Sequence, residues 1–538
     1  MSSPLFLDKL DEAIRQHTHK LAVVDLGETT TTTLTYGELD RLANRCALGL
    51  LDLGVQPGEA VAYQLPSGWP FIVLTVALWR IGAVPCPLLP SLREREVKFI
   101  MQSSGSRLLV IPDEFRRFDY RVLADQVQAE VQGIEHVVVI DSRTVDPTVN
   151  TLGGLIAPET ALADSQAMDV LRGRRATADS YSQLLYTSGT TGEPKGVLHT
   201  HQSLSNALQA HTTTLGLTED DNIWVPSPLA HQTGFLYGML VSFYIGGCGV
   251  YQAIWNVDRA RDAIETHGAT FVQAAMPFLS DLSKCERPPR GLRLFIATGA
   301  AIPRQLAQTA REKLGCSIVG AWGSTEGCLV TVGRPGDPVE KLWGTDGRAI
   351  DGMQIRVVDD DGNVLPPGQE GNYQIRTPAM FATYLHHHEW FEAGFTPDGF
   401  FDTGDLAVID EDGYLRITGR KKDVVNRGGE KIPVVEIENL LYQHPAVADV
   451  AVVAMPDDRL GERACAYVVL NEGYASLDLS EVTDFLGSHQ MAKIYWPERL
   501  EIIDEMPRTA SGKIQKYVLR NDVTEKLTRE GKIEPRSK

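Results

Sequence analysis

Tyr186–Gly196 reads YTSGTTGEPKG, and the rest of the chain is arranged around it. These eleven residues hold four aliphatic hydroxyls (Thr187, Ser188, Thr190, Thr191), three glycines (Gly189, Gly192, Gly196) and one cation, Lys195. Glycine lets the backbone turn its N–H groups inward and approach an anion closely. Hydroxyls add donors and the lysine adds charge, which is the composition of a loop that wraps a polyphosphate. It is not the common P-loop: Gly192 is followed by Glu-Pro-Lys, so the G-K-[ST] ending is missing. Leu184-Leu185-Tyr186 before and Val197-Leu198 after read as strands. A helix is expected over Leu204–His211 with Ser203 as its N-cap. Taken alone, the loop also reads as a polar surface turn.

Size and charge bound what this loop can serve. A chain of 538 residues exceeds one hydrophobic core and predicts about two to four folded units. The formal net charge of −19 disfavours nucleic acid or an anionic membrane as partner, because nothing offsets phosphate repulsion. It leaves room for a small anion held by local donors. The start, MSSPLFLDKLDEAIRQH, lacks a basic n-region and spaces Leu5, Leu7, Leu10 and Ile14 as an amphipathic helix, so no signal peptide is expected. The uncharged run Ile223–Val257 carries prolines, His231, Gln232 and glycines, and reads as buried core in preference to a membrane span. Seven scattered cysteines with no C-x-x-C pair point to a reducing cytoplasm, without disulfides or a zinc site.

Residues 1–180 alternate strand and helix: Leu21–Val24, Tyr36–Leu53 behind the cap candidate Thr35, Ala60–Leu65, Ile72–Ile81, Leu108–Ile111 and His136–Ile140. That order predicts an α/β fold with a mainly parallel sheet covered on both faces. Beyond the loop, Trp224–Gly238 reads WVPSPLAHQTGFLYG, where His231 is either a cavity-lining group or a satisfied core histidine. LFIATGAAIP (Leu294–Pro303) and IVGAWGSTE (Ile318–Glu326) are strands running into small-residue turns. Their small residues leave space for a flat ring, Trp322 offers a stacking face, and Glu326 offers an oxygen for Mg²⁺. Each is also an ordinary turn after a strand. Glycine punctuation across about 335–419 predicts a small β-rich unit ending in Phe401-Asp402-Thr403-Gly404-Asp405 and GYLRITGR. Asp405 is a buried functional carboxylate or a turn cap. His386-His387-His388 is not expected to bind metal, since consecutive residues do not converge on one ion. A boundary at Arg420-Lys421 separates residues 1–420 from a compact α+β unit, 421–538, whose first long helix follows Pro433.

YTSGTTGEPKG, WGSTE, FDTGD, GYLRITGRKKD and PRTASGK, in this order, resemble the adenylate-forming superfamily of acyl-CoA ligases, carrier-protein-loading adenylation domains and luciferases. The wording SPLAHQTGFLYG and ITGRKKDVVNRGGEKI is most similar to medium-chain and alicyclic acyl-CoA ligases, then to aryl-acid-activating enzymes. The resemblance implies a large N-terminal domain of two αβα sheet layers plus a β-barrel, and a small mobile α+β lid. It implies attack of a carboxylate on the α-phosphate of Mg·ATP, giving acyl-AMP, and then transfer to the thiol of coenzyme A. It implies that Thr187, Ser188, Gly189, Thr190, Thr191, Gly192 and Lys195 cradle phosphates. Gly299-Ala300-Ala301 and Trp322-Gly323-Ser324 would hold adenine; the family usually has Tyr or Phe where Trp322 stands. Thr325 would bond the α-phosphate, Glu326 would ligate Mg²⁺, and Asp405 with Arg420 would take the ribose. Lys513 would bridge carboxylate and α-phosphate, with His231 also at the catalytic centre. His231, Gln232, Phe235, Ala297, Thr298 and Gly299 would line the acyl pocket. Lys422 matches the hinge, and Gly428-Gly429-Glu430 the loop that meets pantetheine.

Gln232 either reads a polar substituent of the acid or bonds backbone at the pocket mouth. The second is preferred, because most side-chain hydrogen bonds go to backbone or water. No Lys or Arg lies in either pocket stretch, so a monocarboxylic acid of medium size, straight-chain or cyclic, is expected, with CoA as acceptor and a carrier protein as the lesser alternative. A non-catalytic nucleotide sensor and a luciferase-like oxygenase are the readings from other classes. The presence of Glu326, Asp405 and Lys513 together speaks against the sensor.

Overall fold

The computed structural model describes residues 3–532 apart from 29, 142–151, 153, 164, 188–193, 299–301, 303, 422, 429 and 510–512, and apart from the side chains at 159, 160, 304, 305, 430 and 431. The chain is α/β, with a large N-terminal domain and a smaller C-terminal one.

The alternation read from the sequence produces two sheets. One has nine strands in the order Arg348–Ala349, Cys328–Val332, Ser317–Ser324, Leu294–Thr298, Ala269–Ala275, Asn222–Val225, Cys248–Tyr251, Leu21–Leu26, Thr31–Thr35. Its centre is parallel and its edges are antiparallel. The second is a parallel sheet of Val84–Pro87, Ala60–Tyr63, Leu108–Pro112 and His136–Ile140. Helices Tyr36–Asp52 and Trp69–Arg80 bury aliphatic and aromatic side chains against them, as an α/β core requires. Thr35 caps the first of these in a full capping box with Glu38. The Ile223–Val257 run is core: Trp224, Phe235, Met239 and Phe243 are fully buried. Among the described residues, no helix is long and apolar enough to cross a membrane.

Gln354–Val358, Glu370–Arg376, Phe401–Ile409 and Leu415–Arg420 form a four-stranded antiparallel sheet. It supplies the β-rich unit, to which helix His388–Ala393 is added. After it, Glu430–Ile432, Val425–Arg427, Gly461–Leu470 and Val447–Asp457 build a separate sheet, joined by the parallel strand Arg499–Ile502. Helix Val434–Leu441 follows Pro433 as the sequence predicts. The apolar clusters of this last unit, drawn from 425–527, share no member with those of the preceding residues.

Candidate active site

The phosphate-type loop joins two antiparallel strands, Tyr181–Thr187 and Lys195–Thr200, with Thr187 opposite Lys195. Ser188, Gly189, Thr190, Thr191 and Gly192 lie outside the described residues. The helix that follows runs over His201–Leu215, and its N-cap is Thr200, not Ser203. The two hydroxyl residues cap reciprocally: Ser203 N–H donates to Thr200 Oγ1 and Thr200 N–H to Ser203 Oγ, both at 3.1 Å. Ser203 carries a cap signal in the sequence because it is the other half of this box.

Strand Ser317–Ser324 delivers Trp322 beside Asp405. The indole Nε1–H donates to Asp405 Oδ2 at 2.9 Å, and the ring meets Tyr373 edge-on at 4.7 Å. Register pairs Asp405 directly with Arg420 across the ladder, and Arg420 Nε reaches Asp405 Oδ1 at 3.0 Å. Each carboxylate oxygen has two acceptor sites, so both oxygens can still take a ligand hydroxyl. Gly299, Ala300 and Ala301 lie outside the described residues. Asp346, missed by sequence reading, is buried next to this group and accepts Ile417 N–H at 2.8 Å. Burial, reinforced by the charge of Asp405, pushes its pKa up to about 7.

The WGSTE turn is tied down from several sides. Gly323 continues the strand pairing opposite Leu329, and Ser324 Oγ accepts Gly327 N–H at 2.9 Å. The Thr325 carbonyl is bonded by His199 Nε2 at 2.7 Å, and Glu326 Oε1 accepts the Tyr384 hydroxyl at 3.0 Å. Buried His199 has its pKa pulled down to about 4 by desolvation, so the neutral ring donates to that carbonyl.

His231 caps a short helical turn, its Nδ1 accepting Thr233 N–H at 3.2 Å. Burial, then the Lys513 ammonium, lowers its pKa to about 3. Gly234 is required in that turn, since a Cβ there would stand 2.3 Å from Pro228 O. Gln232 is buried and its partners are side chains: its Oε1 accepts Gln183 Nε2 at 2.7 Å, and its Nε2 lies 3.7 Å from Cys328 Sγ. The expectation of a backbone partner is corrected here, because two buried side chains on neighbouring elements reach it first. Phe235 is fully buried, its ring edge-on to those of Phe71 and Trp79. Ala297 is buried and Thr298 half-buried at the end of their strand.

Lys513 comes from the far end of the chain. Thr509 N–H donates to the Lys513 carbonyl at 2.8 Å, and Lys513 N–H donates to Thr509 Oγ1 at 3.1 Å. Lys513 is solvent-exposed. Desolvation and the charge of Arg420 lower its pKa, while Asp405 and Glu326 oppose the shift. Lys513, Glu326, Asp405, Arg420 and His231 thus share one electrostatic neighbourhood.

Residues 10–385 match the AMP-binding enzyme family, and residues 436–513 match the AMP-binding enzyme C-terminal domain. The chain belongs to the AMP-binding enzyme family. Relatives in this family include CoA ligases, and this enzyme is an AMP-forming acid–thiol ligase. It is 36% identical to the medium-chain fatty-acid–CoA ligase of Escherichia coli (strain K12), over 97% of this chain and 91% of that protein. It is 34% identical to a salicylyl-CoA synthase / salicylate adenylyltransferase of a Streptomyces species, over 94% of this chain and 91% of that one. Its structure superposes on ATP-bound MatB from Rhodopseudomonas palustris with a TM-score of 0.83 and 28% identity, covering 97% of this chain and 99% of that one.

Gly428 has φ +61° and donates its N–H to Leu460 O at 2.8 Å, while Lys422, Gly429 and the Glu430 side chain lie outside the description. The three consecutive histidines face three partners: His386 Nε2 bonds Ser103 O at 2.8 Å, His387 Nδ1 pairs with Glu389 at 3.0 Å, and His388 Nδ1 bonds Thr383 Oγ1 at 3.1 Å. Among the described residues no three His, Cys, Asp or Glu side chains gather as a metal site. A single carboxylate, Glu326, fits Mg²⁺, which takes most of its ligands from phosphates and water.

Proposed function

We propose that this enzyme activates a medium-sized monocarboxylic acid, straight-chain or cyclic, with ATP and transfers it to coenzyme A. The convergence of Lys513 on Glu326, Asp405, Arg420 and His231 carries the reading. Attack of one anion on another needs positive charge at the point of approach. Lys513 would lie between the substrate carboxylate and the α-phosphate, with Thr325 donating to that phosphate. Lys195 and the loop behind Thr187 would hold the β- and γ-phosphates, and Glu326 would hold Mg²⁺. When bound, that ion neutralises phosphate charge. Asp405 and Arg420 would orient the ribose, with Trp322 and the Gly299–Ala301 turn at the adenine.

Residues 1–420 would form the adenylation domain and 421–538 a lid turning about Lys422. Rotation would withdraw Lys513 and bring Gly428-Gly429-Glu430 to the pantetheine arm. The separation of apolar clusters on either side of this junction supports the division. The seven free cysteines, six of them buried, support a reducing cytoplasm as its place of work.

Likeness to the medium-chain ligase supports an aliphatic acid. So does the engagement of Gln232 with Gln183, since an amide already bonded is a poor reader of a ring hydroxyl. The salicylate-acting relative keeps an aryl acid, and a carrier protein as acceptor, as the second reading. A panel of acids from acetate to decanoate, with cyclohexanecarboxylate and salicylate, separates them when scored by acyl-CoA formation. Catalytic efficiency should climb with each methylene, at about 0.8 kcal/mol apiece, until the pocket fills. Preference for salicylate or acetate over every medium acid would overturn the assignment, and acyl-AMP that reacts with carrier protein but not CoA would overturn the acceptor.

A further inference from the structure

Lys195 opens the second strand of the phosphate hairpin, and Thr383–Tyr384 pairs alongside it. That pairing sets the Lys195 ammonium 5.1 Å from the centroid of the Tyr384 ring and 4.8 Å from that of Trp390. Among the described residues no carboxylate pairs with Lys195. The acid of this network, Glu326, is held by the Tyr384 hydroxyl at 3.0 Å. Trp390 is held in turn: the His387 imidazole stacks on it at 3.6 Å, with the rings 3° from parallel. Trp390 sits on helix His388–Ala393 and is 39% exposed, whereas Tyr384 is buried.

We propose that Tyr384 and Trp390 form an aromatic cradle that holds the Lys195 ammonium without neutralising it, reserving its charge for the polyphosphate of the nucleotide. A carboxylate could fix the lysine equally well, but it would cancel the charge, and an incoming phosphate would have to displace it. An aromatic face attracts a cation through its quadrupole and carries no net charge. The lysine stem therefore loses its rotamer freedom before the ligand arrives, while the field that attracts phosphate stays intact. Tyr384 adds a second effect. Its ring lies by the cation and its hydroxyl occupies the Glu326 carboxylate, so two opposite charges wanted by the same ligand do not collapse onto each other. Tyr384 and Trp390 are positioning residues; neither touches a reacting atom.

This inference rests on reading Tyr186–Gly196 as a phosphate loop, and one experiment tests the two separately. Binding of Mg·ATP, Mg·pyrophosphate and AMP to the full-length chain is measured by calorimetry for the wild type, Trp390→Phe, Trp390→Leu and Trp390→Glu. Trp390→Leu should weaken ATP and pyrophosphate about three- to tenfold, while Trp390→Phe keeps an aromatic face and stays within about twofold. Trp390→Glu should lose more than Trp390→Leu, because it supplies the missing counterion. AMP, with no β- or γ-phosphate, should bind all four alike. Equal ATP binding by wild type and Trp390→Leu would overturn the cradle and leave the nucleotide site standing. Equal loss of ATP and AMP would make Trp390 a structural residue and also overturn it. A wild type that binds no nucleotide would remove the phosphate-loop reading, and the cradle with it.

Discussion

The indole N–H of Trp322 and the carboxylate of Asp405 are hydrogen-bonded at 2.9 Å, although 83 residues separate them. The bond joins the residue expected at the adenine to the one expected at the ribose. Tyr or Phe in place of Trp322 would offer a ring without this donor at this position.

Trp322→Phe should therefore keep the stacking face and loosen Asp405. Loss of a donor to a buried carboxylate costs about 1–3 kcal/mol. KM for ATP should rise about three- to tenfold with kcat changed far less. An unchanged KM would show that Arg420 alone positions Asp405.

Lys513→Ala should lower acyl-AMP formation by about two to three orders of magnitude or more, since in the proposed role it deletes charge that acts chiefly in the transition state. Thioester formation from supplied acyl-AMP should fall much less. Rapid-quench measurement of the two half-reactions checks this, and an equal fall in both would reject the role.

Gln183→Leu should destabilise the fold by about 1–3 kcal/mol, because it strands the buried Oε1 of Gln232. Adding Gln232→Leu should recover part of the loss, so a double-mutant cycle in urea should show coupling. The rank order of acids should survive Gln183→Leu. A switch toward hydroxylated aryl acids would return Gln232 to the acyl pocket as a reader of substrate.

Acid should weaken the fold below about pH 6.5. His199 and His211 are lowered to about 4, and His201 and His231 to about 3, chiefly by burial. The unfolded chain takes up protons at these positions below the ordinary histidine value near 6.5, and the folded chain does not until pH reaches those depressed values. Stability is thus lost as pH falls through that window. Asp25 and Asp346 work in the opposite direction: raised by burial to about 6 and about 7, they favour the folded state as pH drops from 7 toward 3.8. Four histidines outweigh two carboxyls, so the urea midpoint should be lower at pH 5 than at pH 7. Asp346→Asn should stabilise more at pH 8, where the native residue is charged and buried, than at pH 5.

Much of the fold was legible because its signals are local. Strand and helix alternate in the first 180 residues, Thr35 precedes a periodic apolar run, and Pro433 precedes another. The site was legible as separate motifs only, and the resemblance supplied their meeting. Nothing in PRTASGK names Asp405 or His231 as neighbours of Lys513. Tyr384 carries no signal of its own in YLHHHEW, where the three histidines are the conspicuous residues. Its hydroxyl partner is 58 residues away, and its cation stands on a strand that pairs with it only in the folded sheet. For Gln232 the sequence offers only the general preference of side chains for backbone partners. That preference fails where two buried amides face each other and no water competes.

The separate apolar clusters set how the molecule should come apart on heating. No apolar cluster draws residues from both sides of the junction, so the two units need not melt together, and the contacts between them near the junction include the exposed pair Lys421–Asp402 at 2.9 Å. Such a pair contributes little. A scanning calorimeter should record two heat-absorption peaks, the smaller from the C-terminal unit. A bound acyl-adenylate, if it touches Lys513 from one side and Asp405 from the other as proposed, should draw the two peaks toward one.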